Sequence, residues 1–196
     1  MFIVFEGIDG CGKSTQVWKS ARYFANAGKY NHVLVTREPY KSREIREILK
    51  QDEPAETKSE KLTELFVKDR KEHLSEIILP ALKSDIIVIC DRYKYSTICY
   101  QAAQGQDIKK LFEMHKNMPV PNFIFVFDVP VEIAVKRMTK DNLREKEHKF
   151  EKNAAFLEKV RKNYLKMKEF FPEEKIIILD GTKTIGEIFE EIKTYF

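Results

Sequence analysis

Residues 1–15 read MFIVFEGIDGCGKST, and this stretch decides the fold. Phe2 to Phe5 is a short run of large and β-branched apolar residues, the composition of a buried strand. Gly7, Gly10 and Gly12 follow, then Lys13, Ser14 and Thr15, then a run with helical periodicity. From Gly7 to Ser14 the spacing is G-x-x-x-x-G-K-[ST]. Glycines let the backbone curl until successive N–H groups point at one anion. A helix that starts at the loop adds the positive end of its dipole. Lys13 supplies a mobile cation for the β- and γ-phosphates, and Ser14 Oγ can ligate Mg²⁺. The pattern implies that Gly7, Ile8, Asp9, Gly10, Cys11, Gly12, Lys13, Ser14 and Thr15 cradle a nucleoside triphosphate. Cys11 reads as a tolerated small residue in that loop and not as a nucleophile.

Outward from the loop, strand and helix patterns alternate. Further strands are expected at His32 to Thr36, Ile86 to Cys90, Phe123 to Phe127 and Ile176 to Leu179, several of them apolar on both faces. Helices are expected over Ser14 to Ala27, Ser42 to Lys50, Ser59 to Leu79, Ser96 to Gln104, Asp107 to Lys116, Val131 to Met138, Phe150 to Phe171 and Thr184 to Phe196. Pro80 should end or kink the third of these and Pro172 should stop the seventh. Asp69, Arg70 and His73 interrupt an apolar helical stripe, which places them at its edge or facing a site. The alternation implies an α/β, doubly wound fold, a five-stranded parallel sheet with helices on both faces.

Composition bounds the rest. A chain of 196 residues makes one domain over 1–196 the default. The 34% of charged residues and a mean hydropathy of −0.44 fit a soluble protein. No apolar run is long enough for a membrane span, and the N-terminal run reads as a core strand in preference to a signal peptide. The net charge of +4 suits anionic substrates but provides no basic stripe for nucleic acid. Cys11, Cys90 and Cys99 are odd in number, lack metal-ligand spacing, and fit a reducing cytoplasm.

Ligands of such folds lie beyond the carboxyl ends of the strands. That gives weight to Arg37-Glu38, Asp91-Arg92, Asp128 and Asp180-Gly181. Asp91 and Asp128 each follow a strand and compete as the carboxylate that handles Mg²⁺ or its waters. Asp91, followed by a cation able to clamp phosphate, is favoured. Asp128 precedes Val129-Pro130 and reads as the cap of the next helix.

With these pieces in hand the chain resembles the thymidylate kinases, P-loop enzymes that phosphorylate dTMP with ATP. The matching segments are FEGIDGCGKST at 5–15, TREP at 36–39, LFVKDR at 65–70, DRYKYSTICYQ at 91–101, PNFIFVFDV at 121–129 and FLEKVRKNYL at 156–165. The resemblance implies a P-loop kinase fold with Mg²⁺, ATP as co-substrate, dTMP as acceptor and a homodimer. It implies that Asp9 contacts the dTMP 3′-hydroxyl and that Arg37 and Arg92 hold its phosphate. The resemblance puts Glu38 in the acidic position after the strand, where it would order the waters of Mg²⁺. Phe66 would stack on thymine, and Arg70, one turn on, would donate to a base carbonyl. Thr97 and Tyr100 would read the base edge and crowd the ribose 2′ position, and Arg137 would pack on adenine. Core packing for Phe66 and a solvated helix face for Arg70 are the plainer alternatives, and neither is the favoured one. The rival readings are a kinase for another nucleoside monophosphate or a deoxynucleoside, and a P-loop nucleotide-binding protein that is not a kinase. Arg37 together with Arg92 favours an acceptor that carries its own phosphate. The absence of Asn-Lys-x-Asp argues against a GTPase switch.

The resemblance also implies a lid at about 139–151, inside a basic run from Lys136 to Lys152 that by itself reads as a solvated loop. Some members carry an arginine in the loop where this chain has Gly10, which shifts the burden of charge neutralisation to the lid. The lid departs from the usual Asp-Arg-Phe/Tyr-Glu and reads His148-Lys149-Phe150-Glu151, and lysine lacks the planar fork of arginine. With Lys13, Asp91 and Arg92, the catalytic set is completed by Arg144 first and Lys149 second. Arg144→Ala is expected to lower kcat at least about tenfold, a loss of about 1.4 kcal/mol of transition-state stabilisation; an unchanged kcat would remove Arg144 from the mechanism.

Overall fold

A computed structural model describes residues 1–50, 58–140 and 154–196. Strands β1 (Phe2–Glu6), β2 (Val33–Arg37), β3 (Ile87–Asp91), β4 (Phe123–Asp128) and β5 (Ile176–Asp180) form one all-parallel sheet in the order β2-β3-β1-β4-β5. β1 lies at the centre and is buried along its whole length. Its neighbours pair in register, Val4 with Cys90 of β3 and Phe5 with Phe125 of β4. Ile3, Val4, Phe5, Ile89 and Phe125 are completely shielded. Each such side chain contributes roughly 2 kcal/mol of burial free energy, so the central strands are the best anchored part of the chain.

All five strands run one residue further than their apolar runs suggest, ending on Glu6, Arg37, Asp91, Asp128 and Asp180. A polar side chain ends an apolar pattern, but the backbone ladder continues wherever a neighbour still offers partners. Arg37 pairs with Asp91, and Asp128 with Asp180. The last residue of every strand is thus a charged group fixed by the ladder at the same edge of the sheet.

The helices are α1 (Lys13–Ala27), α2 (Arg43–Lys50), α3 (Ser59–His73), α4 (Leu79–Lys83), α5 (Lys94–Ala103), α6 (Ile108–His115), α7 (Val131–Lys140), α8 (Ala154–Leu165), α9 (Met167–Phe170) and α10 (Ile185–Lys193). α1 packs against β1, β2 and β3 and against α10, while α5 packs against both α3 and α8, with α8 against β4. Among the described residues no helix is long and apolar enough to cross a membrane.

Two helices differ from expectation. The helix from Ser59 does not stop at Pro80. A π-turn at Leu74–Ile78 widens it, the Leu79 N–H reaching back to Leu74 O, and Pro80 enters the first turn of α4, where a missing N–H is harmless. The expected helix over 150–171 is broken at Lys166 into α8 and α9, with its first residues outside those described. The three cysteines, Cys11, Cys90 and Cys99, are free and buried. A small second cluster of Ile45, Leu49 and Leu62, with Phe66 against it, ties α2 to α3.

The strand ends are packed closely. Gly181 N–H bonds Asp128 O at 2.9 Å, and a Cβ on Gly181 would lie 2.3 Å from Val129 Cγ2 and 3.2 Å from Asp128 O. Gly181→Ala is therefore expected to destabilise the fold by about 1–3 kcal/mol through overpacking, measured as a lower urea midpoint. An unchanged midpoint would mean that the end of β4 yields freely.

Candidate active site

The turn from β1 to α1 is built by backbone conformations that side chains disfavour. Gly7, Gly10 and Gly12 have φ of +137°, +79° and +102°. At Gly10 there is a second constraint, because a Cβ would sit 2.3 Å from the Ala134 carbonyl oxygen of α7. A residue with a side chain does not fit there without moving α7. No side chain caps α1 and no acidic residue lies in its first turn, so its leading N–H groups are aimed at the loop without a competing carboxylate. Lys13 is buried and its Nζ spans the loop, donating to Gly7 O at 3.0 Å and Ile8 O at 2.9 Å, with Asp9 at 3.7 Å. Ile8 and Cys11 are buried beneath the loop, and Thr15 follows Ser14 in the first turn of α1.

Ser14 Oγ donates to Asp91 Oδ2 at 3.2 Å, joining the loop to the end of β3. Arg37, largely exposed, stands 3.6 Å from the same oxygen. Asp91 Oδ1 is buried without a hydrogen-bond partner. A buried carboxylate oxygen with nothing to accept from, beside a serine hydroxyl, suits a hard cation that takes few protein ligands and completes its shell with phosphate and water. Among the described residues no cluster of three or more His, Cys, Asp or Glu offers an alternative centre. Asp128 is not the helix cap that its sequence context suggested. Its carboxylate takes a two-pronged bond from Arg161, Nε at 2.6 Å and Nη2 at 3.1 Å. This leaves Asp91 as the strand-end carboxylate beside the loop.

Next to the loop opens a cleft of about 390 Å³. It gathers Asp9, Arg37, Glu38, Phe66, Arg70, Arg92, Thr97 and Tyr100, all eight acceptor-site residues expected from sequence. Arg92 Nη2 donates to Asp9 Oδ1 at 2.6 Å, and the guanidinium lies 5.2 Å from the centre of the Tyr100 ring. Burial pushes the Tyr100 hydroxyl up from its ordinary value, so it stays protonated. Phe66 is half-buried and lines the cleft. Arg137, on α7, lies apart from this cleft and donates to Gly181 O at 3.0 Å. Arg144 and Lys149 fall outside the described residues.

Arg70 is not on a solvated face. It is 1% exposed. Its Nε donates to Glu38 Oε2 at 2.6 Å, its Nη2 to Thr97 Oγ1 at 2.9 Å and Tyr93 O at 3.1 Å, and its Nη1 meets His115 Nε2 at 2.8 Å. Glu38 gives its other oxygen to His73 at 3.3 Å. Both of its oxygens therefore face protein groups. Asp69, one residue before Arg70, accepts the backbone N–H groups of Tyr40, Lys41 and Ser42 and so holds the loop after β2. The polar interruption in the α3 stripe is thus a set of grips on the strand end.

Several groups of the site escape a sequence reading. Arg46 lines the cleft from α2 and donates to Tyr40 O at 3.2 Å; its only signal was its place on the polar side of that helix. His115 had none.

Against known proteins, the thymidylate kinase family model matches residues 5–192. The chain belongs to the thymidylate kinase family. It is 39% identical over 197 residues to a probable thymidylate kinase of Pyrococcus horikoshii, covering 97% of this chain and 93% of that one. It is 38% identical over 205 residues to a probable thymidylate kinase of Thermococcus kodakarensis, covering 99% and 98%. To a thymidylate kinase of Fervidobacterium nodosum it is 39% identical over 206 residues, covering 100% and 98%. As a member of this family the protein is a phosphotransferase, and its five-stranded parallel sheet is that of the P-loop kinases.

Within this thymidylate kinase framework His115 has a definite protonation state. Burial, with Arg70 beside it, holds its pKa down from 6.5 to about 3. Neutral, it donates from Nδ1 to Leu111 O at 2.6 Å and accepts from Arg70 at Nε2. The unfolded chain takes up a proton that the folded one refuses. The contribution of His115 is therefore complete above pH 6.5 and is lost as pH falls toward about 3. Urea midpoints of the protein are expected to drop between pH 7 and pH 5, with His115→Gln removing up to about 1.4 kcal/mol per pH unit of that slope. Equal slopes for the two proteins would mean that His115 titrates normally.

Proposed function

We propose that the protein catalyses transfer of the γ-phosphoryl group of ATP to dTMP, giving dTDP and ADP. The observation that carries this reading is the single cleft holding Asp9, Arg37, Glu38, Phe66, Arg70, Arg92, Thr97 and Tyr100, joined to the phosphate loop through Asp9. Two cations, Arg37 and Arg92, in a cleft also lined by the ring of Phe66 match a monophosphate whose base lies against that ring.

In the proposed mechanism the loop residues Gly7 to Thr15 and the α1 N-terminus bind the ATP phosphates, and Arg137 packs on adenine. An oxygen of the acceptor phosphate attacks the γ-phosphorus in line as the bond to the ADP oxygen breaks. That acceptor is already ionised, so no strong general base is needed. Arg37 and Arg92 hold it in line, Asp9 orients the ribose hydroxyl, and Tyr100 fills the 2′ side. Phe66 stacks on the base. Arg70 turns its second Nη1 hydrogen toward a base carbonyl, with Thr97 and Glu38 fixing its plane. Lys13 and Arg92 stabilise the transferring charge, with Arg144 and Lys149 of the lid. Ser14 and Asp91 would hold Mg²⁺, directly or through water, and the ion would supply neutralisation of phosphate charge. The reading also has the chain working as one domain over 1–196, as a homodimer, in the cytoplasm, without nucleic acid or membrane partners.

The test is ADP formation from Mg-ATP by purified protein against dTMP, dUMP, UMP, dCMP, dGMP and thymidine. A strong preference for dTMP is expected. Turnover of another monophosphate alone would discard the base assignment, and turnover of thymidine would mean that Arg37 and Arg92 were misread.

A further inference from the structure

Glu6, the last residue of β1, is a carboxylate with no exposure at all, and nothing in the mechanism above uses it. It lies directly before Gly7 of the phosphate loop, and its side chain reaches across to the start of α5 and to Tyr164 on α8. Oε1 accepts the backbone N–H of Tyr93 at 2.7 Å and of Ser96 at 3.3 Å. Tyr93 is the N-cap residue of α5 and provides no side-chain cap of its own. Glu6 thus caps α5 from another strand, satisfying donors that a helix start leaves open and placing a negative group at the dipole's positive end.

Oε2 serves a different purpose. It accepts from Ser96 Oγ at 2.5 Å and from Tyr164 Oη at 3.0 Å. The two hydroxyl oxygens also lie 2.9 Å apart, where either can donate to the other; with both hydrogens directed at Glu6, each offers Arg92 only lone pairs. Arg92 Nη1 donates to both, to Ser96 Oγ at 3.1 Å and to Tyr164 Oη at 3.5 Å. The backbone repeats the arrangement. Arg92 has φ of +74°, a left-handed conformation that a non-glycine residue holds only under constraint. Its own N–H is bonded to Phe5 O at 2.9 Å, and the next N–H, of Tyr93, is the one bonded to Glu6.

We infer that Glu6 is a positioning residue for the acceptor phosphate. It fixes the backbone turn at Arg92 and polarises Ser96 and Tyr164 so that their lone pairs steer the guanidinium. Because Glu6 adjoins Gly7, one side chain sets the separation between the donor loop and the acceptor cation. The inference rests on the proposed role of Arg92 in holding the acceptor phosphate.

Glu6→Gln isolates this role. The amide keeps an oxygen for the two backbone N–H groups, and hence the cap on α5. It places an NH₂ donor where two hydroxyls now donate, so Ser96 and Tyr164 must turn and compete with Arg92. Steady-state rates are to be measured with whichever monophosphate the wild-type protein turns over, so that a wrong base assignment leaves this test standing. Expected is a fall of at least about tenfold in kcat/KM for the monophosphate, with KM for ATP changed by less than about twofold. In an Arg92→Lys background, where the planar group that sets Nη1 against both hydroxyls and Nη2 against Asp9 is gone, the same substitution should cost less than about threefold. A full tenfold loss persisting in that background would overturn the inference, as would an unchanged kcat/KM. Should Glu6→Gln fail to fold, Ser96→Ala combined with Tyr164→Phe removes both hydroxyl links between carboxylate and guanidinium; a fall in kcat/KM for the monophosphate with the ATP KM unmoved supports the inference, and wild-type kinetics overturn it.

Discussion

A buried guanidinium has to be met on every side, and in this protein that requirement organises the acceptor side of the molecule. Arg70 leaves water almost entirely, which is tolerable only with a carboxylate and several acceptors in place. The partners come from separate parts of the chain: Glu38 after β2, Tyr93 and Thr97 at the start of α5, and His115 at the end of α6. Each element is drawn to a fixed distance from α3. The cleft is the space left once these distances are set. Removing one partner would strand charge in a dry site, which is far more costly than losing an exposed pair.

The donor side is governed differently. It depends on the backbone: three glycines with positive φ, an uncapped helix start, and the contact of Gly10 with α7. The two sides meet at the carboxyl edge of β1 and β3, where Ser14 touches Asp91 and Asp9 touches Arg92. The central strands, shielded on both faces, make this edge a stiff platform, and the residues of the proposed site take their placement from the ladder.

Much of this was legible because the informative patterns are local. The phosphate loop needs eight consecutive positions, and the strands announce themselves by unbroken apolar runs. What could not be read depends on partners distant in sequence. Asp128 looked like a cap from its neighbours Val129 and Pro130; Arg161, on another helix, claimed it. His115 is one histidine on a short helix, and only the fold places Arg70 beside it. The strand ends were each read one residue short, since hydropathy reports side chains while the ladder is made by backbone. Of the two outcomes expected at Pro80, an end or a kink, the helix does not end: a proline lacks one donor, and a π-turn just before it removes the need for that donor.

The burial of all three thiols has a practical consequence. Cys11 lies in the phosphate loop, Cys90 in β3 and Cys99 in α5, each at most 1% exposed. Burial also raises the pKa of each thiol, so the reactive thiolate is scarce in the closed protein. Alkylation at any one of them therefore records an opening of the element that carries it. The native chain thus holds three built-in reporters of local breathing, one in the donor loop, one in the sheet and one in the acceptor wall, whose labelling rates rank the opening free energies of those regions without any introduced probe.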